Sequence, residues 1–219
     1  MSTRPFCLFH VATPLLAVTA LSCSPTWGQG RQVHCGLGPP PGTTNYAEHE
    51  RKQTKQRTEL GYLLVCEDNL RRYDYLARAK RLEEVLPRLA FKPVSLDATP
   101  FSQMKAAGGF ADYFSDGRAA GIHRTFKAPA GRIIDLLEWD MSVSGGSVKS
   151  QQSLQTERVN DSPAQLTVVQ TESGKAMSIL SWVEGRRYYE LSIDMNVSAT
   201  GISNFIQLAR SIPRSVPAK

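Results

Sequence analysis

The C-terminal quarter of the chain, Ala164 to Ile212, leaves few folds open. From Tyr189 the apolar residues fall at every second position, Tyr189, Leu191, Ile193 and Met195, while Glu190, Ser192 and Asp194 take the alternate ones. That is the period of a strand with one face in a core and the other toward water. Ala176 to Val183 is a second β-rich run, and Glu184-Gly185 predicts a tight hairpin joining the two. After Met195 the spacing changes. Ile202, Phe205, Ile206, Ala209 and Ile212 recur at three and four residues until Pro213, the pattern of an amphipathic helix capped by Ser198 or Thr200. Such a helix requires a sheet beneath it.

Upstream, turn signals punctuate further β-rich runs. Phe101 to Phe114 reads as a loop-and-turn lead-in, Asp116-Gly117 as a turn into Arg118 to Phe126, and Pro129-Ala130-Gly131 as the next turn. Arg132 to Val143 predicts a strand with Leu137, Trp139, Met141 and Val143 on one face and Leu136, Glu138, Asp140 and Ser142 on the other, ended by Gly145-Gly146. Ser153 to Val159 and Ala164 to Gln170 flank the turn residues 160–163. The expected fold is α+β: an antiparallel meander of about six strands, covered on one face by the C-terminal helix and preceded by a separate N-terminal helix.

The chain start has a different character. Arg4 precedes a mostly apolar run, Phe6 to Leu21, broken by His10, Thr13 and Pro14. That run is too short for a membrane span and has the flanks of a secretory signal, with an uncleaved anchor, a transit peptide or a misassigned start as the competing readings. Ala20-Leu21-Ser22-Cys23 is similar to a bacterial lipobox with its leucine one position late, so membrane anchoring through Cys23 or the segment itself is the alternative to full release. Removal of the signal leaves Cys35 and Cys66. In an oxidising compartment such a pair reads as a disulfide, worth roughly 3–4 kcal/mol in the chain-entropy model, against a simple buried thiol at Cys66. The expected divisions are a signal peptide at 1–28, a disordered arm at 29–58, a basic helical segment at 59–90, the antiparallel α+β domain at 91–213 and a tail at 214–219.

Glu67 to Leu86 lacks Gly and Pro and ends at Pro87, which predicts a helix. Arg51 to Lys92 carries eleven Lys or Arg against six Asp or Glu, so nearly all of the chain's formal charge of +6 is local to this stretch. An ordinary solvated helix face accounts for it, with an acidic partner, phospholipid headgroups or nucleic acid, as the competing reading, and an extracytoplasmic location disfavours nucleic acid.

No catalytic motif is present. His123 is the one histidine within 91–213 and reads as a surface residue on a strand. Glu138 and Asp140 share a strand face at roughly 7 Å, a spacing inverting glycosidases use, but no apolar pocket is evident that would raise a carboxyl pKa. The sequence therefore reads as a non-enzyme with no cofactor or metal.

Val159-Asn-Asp-Ser-Pro-Ala-Gln-Leu166, Ser181-Trp-Val-Glu-Gly185, Tyr188-Tyr-Glu-Leu191 and Phe205 to Ile212 resemble the end of the small extracytoplasmic domains of bacterial anti-sigma factors and sporulation-associated lipoproteins. The resemblance implies a sheet-plus-helix domain with an extracytoplasmic binding role. Two functions follow as expectations. The first is a secreted or periplasmic module that binds or senses an unknown protein partner through Arg186, Arg187, Tyr188, Glu190 and Asp194. The second is a carrier whose sheet and C-terminal helix enclose an apolar ligand or lipid in a cavity lined by Leu137, Trp139, Trp182, Leu191 and Phe205. Ordinary core packing is the competing reading for those five residues.

Overall fold

The computed structural model describes residues 44–113, 117–148, 154–198 and 200–214. The expected signal peptide, Cys23, Cys35, the first half of the expected arm and all of the expected tail but Arg214 lie outside the described residues. The described residues all belong to one unit, Gln32–Lys219.

One mixed sheet organises them. Strands β2 (Lys105–Tyr113), β3 (Ala119–Lys127) and β4 (Ile133–Asp140) are successive antiparallel neighbours. β4 pairs with β8 (Arg187–Ile193), β8 with β7 (Ala176–Glu184), and β7 with β6 (Ser162–Gln170), all antiparallel. The outer side of β6 takes two short strands, β5 (Glu157–Val159), antiparallel, and β1 (Leu63–Leu64), parallel. The fold is α+β with eight strands, so the expectation of about six antiparallel strands is corrected. β1 lies inside the stretch expected to be helical, and the sheet draws on residues well before Phe91.

The turns follow from local chemistry. Asn160 takes the left-handed conformation at φ 52° between β5 and β6, and Gly185 does so at φ 60° between β7 and β8. β2 was hidden by its own glycines. Gly108 has φ 120°, and a Cβ there would come 2.3 Å from the Lys80 carbonyl oxygen. A Cβ on Gly109 would meet the His123 carbonyl oxygen at 2.2 Å. These glycines admit another backbone at close range; they do not break the strand.

The helix α6 (Ile202–Arg210) covers one face. Phe205, Ile206, Ala209 and Ile212 enter the main core with Trp182, Tyr189, Leu191, Leu136 and Ala164, as the three- and four-residue spacing predicts. Each such buried side chain of Phe or Ile size stabilises the fold by roughly 1.5–3 kcal/mol. The cap is Gly201 at φ 105° and has no side-chain bond, while the Ser198 hydroxyl donates to Asn196 Oδ1 at 2.5 Å.

The N-terminal segment is not a separate helix. Tyr46–Leu60, placed within the expected arm except for its last two residues, forms helix α1, started by Asn45 accepting from the Glu48 N–H and closed by Gly61 at φ 75°. The expected helix from Glu67 to Leu86 is broken into α2 (Glu67–Arg71), α3 (Tyr75–Arg78) and α4 (Leu82–Val85), followed by a 3₁₀ turn at Leu86–Arg88. Asp74 caps a new start by accepting from the Ala77 N–H at 3.2 Å. Lys80 then exchanges two backbone hydrogen bonds with Gly109, at 2.7 and 2.8 Å, carrying the chain over the edge of β2 from one face of the sheet to the other. That crossing covers part of an otherwise open strand edge. On the far face from α6, Leu63, Val65, Leu70 and Tyr73 pack on Val169, Met177 and Ile179 in a second, smaller core.

Candidate functional site

An apolar groove of about 650 Å³ lies on the α6 side, between β2–β3 and the segment that has crossed over the β2 edge. Leu82 and Leu86 come from α4 and the turn after it, Phe91 and Leu96 from the following loop, Met104 from the approach to β2, and Phe126 from β3. Leu96, Phe126 and Met104 are also members of, or packed on, the main core, so the groove is a place where that core opens outward. Lys92, Ser95, Asp97 and Ser102 supply polar lining.

A buried ion network fixes the loop over the sheet. Glu138 is fully buried and accepts from the Val94 N–H at 3.1 Å and from Arg124 Nη2 at 2.9 Å. It also accepts from Arg187 Nη1, and Arg187 reaches Asp140 at 3.1 Å. Arg124 Nη1 donates to the Val94 carbonyl at 2.7 Å, while Arg187 Nη2 donates to the Lys92 carbonyl at 3.2 Å and its guanidinium lies 4.7 Å over the Phe91 ring. Burial pushes the Glu138 carboxyl upward, and the two guanidiniums and the Val94 amide oppose that push. Glu138 thus holds the Lys92–Val94 loop, while Asp140 pairs with Arg187 and accepts from the Ser142 N–H.

The five residues expected to line a carrier cavity do not converge. Trp182, Leu191 and Phe205 are buried in the core beneath α6, where Trp182 stacks on Tyr189 at 5.1 Å. Leu137 and Trp139 lie half-buried on the other face, with Trp139 donating to Ser144 Oγ at 2.9 Å. The reason is register. Leu136 and Glu138, paired across to Leu191 and Tyr189, occupy the core face, and Glu138 is tolerated there because arginines neutralise it.

The expected interaction face is divided in the same way. Arg186 is exposed in the hairpin turn, and Arg187 points into the ion network. Asp194 accepts from the Ile133 N–H at 2.9 Å. Tyr188 and Glu190 remain together on the face away from α6, the Tyr188 hydroxyl donating to Glu190 Oε2 at 2.9 Å.

His123 is buried, contrary to the surface reading. Nδ1 lies 2.5 Å from Asp135 and Nε2 lies 3.1 Å from Asp112, while the ring stacks on Phe110 at 4.3 Å and on Tyr75 at 5.5 Å. Burial works against the imidazolium, but the two carboxylates outweigh it and raise the ring to about 9. With both nitrogens engaged, it acts as a fixed cation joining three strands.

Sequence reasoning missed the groove. The available signal was an irregular stretch carrying Phe91, Val94, Leu96, Phe101 and Met104, more apolar than a solvated loop requires. Cys66 is not a free thiol, and its expected partner Cys35 lies outside the described residues. Among the described residues no group of three or more His, Cys, Asp or Glu side chains is arranged to hold a metal ion, and no helix is long and apolar enough to cross a membrane. No family model, curated protein or solved structure matches the chain.

Proposed function

We propose that this chain is a non-enzymatic, secreted or periplasmic binding module that holds an apolar ligand in the groove between β2–β3 and residues 82–104. The observation that carries this reading is the groove itself: about 650 Å³, walled by Leu82, Leu86, Phe91, Met104 and Phe126, and kept open by a loop that Glu138 ties to the sheet. Ligand sites of roughly 300–1,000 Å³ with mostly apolar walls and a few polar groups are the usual form of small-molecule pockets. The signal-like run at Phe6 to Leu21, the Cys35–Cys66 bridge and the resemblance to extracytoplasmic domains belong to the same proposal and supply its compartment. The site lies beside the region under α6, where Trp182, Leu191 and Phe205 already fill the space.

Calorimetric titration of the full chain with dodecanoate and with dodecanol tests the reading. Saturable one-site binding with a negative heat-capacity change is expected for burial of an alkyl chain. Absence of saturable heat for both probes overturns it.

A further inference from the structure

We propose that the face of the sheet away from α6 carries a second site, a groove that takes an alkylammonium group with Glu190 as its counter-ion. The groove measures about 540 Å³ and is lined by Tyr73, Gln165, Thr167, Ser181, Tyr188 and Glu190, among others. These residues come from the loop after α2 and from β6, β7 and β8, so the site is separate from the apolar groove in both face and chemistry.

The argument begins with charge. Glu190, half-buried, receives a hydrogen bond from Tyr188 and has no ion-pair partner among the described residues. On this face His123 has both ring nitrogens committed to Asp112 and Asp135, and Arg78 reaches Asp112 at 3.8 Å. Glu190 therefore lines this groove with no cation bonded to it among the described residues. Burial raises its carboxyl above the ordinary range, and Asp135 and Asp112 add to that while Tyr188 and His123 oppose it.

A second, independent feature points to the same ligand. Tyr73 and Tyr188 contribute to the groove lining, and aromatic faces attract cations, most strongly when water is excluded. Ser181, Thr167 and Gln165 bring oxygen acceptors into the same lining, and an ammonium offers three donors. A hydroxyl in place of the ammonium would leave Glu190 without its counter-ion. The site is thus selective for charge, where the apolar groove selects for apolar surface.

Isothermal titration of the full chain with n-butylammonium chloride, matched against n-pentanol, tests the proposal. The expected result is saturable binding of the ammonium, absent for the alcohol, and weakened about tenfold or more in Glu190→Gln, which keeps the side-chain shape. Equal binding of both probes, undiminished binding to E190Q, or no binding of the ammonium at tens of millimolar overturns it. If E190Q fails to fold, Ser181→Leu, which narrows the groove from the β7 side, takes its place and is expected to abolish ammonium binding; unchanged binding counts against the proposal. Dodecanol binding at the apolar groove stays the same in both variants, so failure of one site is distinguishable from failure of the other. Tighter binding of Nα-acetyl-lysine amide than of spermidine assigns the ammonium to a polypeptide side chain, and the reverse order assigns it to a free polyamine.

Discussion

Arg124 and Glu138, on adjacent strands, meet at 2.9 Å with side chains only 8% and 0% exposed. Glu138 at the same time serves Arg187 and the Val94 amide, so one carboxylate holds two strands and a loop together. Removing a single member of a buried ion pair leaves an uncompensated charge and costs about 3–5 kcal/mol. Glu138→Leu is therefore expected to lose stability on that scale in urea denaturation. It should also weaken dodecanoate binding, because Val94 loses its anchor. Replacing both partners, Glu138→Leu with Arg124→Met, is expected to recover much of the stability, since apolar replacement of a whole pair is often neutral.

The His123 cluster sets a pH window. The folded ring titrates at about 9, above its ordinary 6.5, so its contribution is complete below about 6.5 and is lost as pH rises through about 9. Asp112 runs the other way. Although burial opposes it, the His123 bond holds this carboxyl below its ordinary 3.8, and that contribution is lost as pH falls through the acid range. Melting temperature should fall between pH 6.5 and 9 by an amount reflecting on the order of 3 kcal/mol, and His123→Gln should flatten that decline.

Groove filling separates binding from folding. Leu82 is half-buried on the groove wall, and Leu82→Trp places an indole in the space. Stability is expected to change by less than about 1 kcal/mol, because the new volume enters a void and not a packed core. Dodecanoate binding is expected to be lost, as read by the same calorimetric titration.

The crossing at β2 depends on two missing side chains. Gly108→Ala forces a Cβ toward the Lys80 carbonyl oxygen at φ 120°, and Gly109→Ala forces one toward the His123 carbonyl oxygen. Each is expected to destabilise by at least about 2 kcal/mol in chemical denaturation, with the Lys80 amide losing hydrogen-exchange protection first.

The terminal hairpin and α6 were legible because their apolar periods, two and then three to four, match one-sided burial. Where both faces are covered, alternation stops reporting which is core. Leu136 and Glu138 read as the opposite face from Leu137 and Trp139, and a glutamate was the natural marker of water; two arginines from β3 and β8 reversed that sign. Asp140 ended its strand early by accepting from the Ser142 N–H, so Met141–Ser144 turned helical. The 67–86 stretch had helix-forming composition throughout, yet tertiary bonding of Lys80 to Gly109 overrode propensity. The groove and the His123 cluster depend on contacts between distant residues, which no local pattern records.

The most direct test of the central claim is native mass spectrometry of the protein, isolated gently from its own cells and then incubated with dodecanoate. The account predicts a discrete added mass of one apolar ligand, carried from the cell or taken up from the mixture, and its loss in Leu82→Trp. A bare polypeptide under both conditions, or an adduct that Leu82→Trp retains, would contradict it.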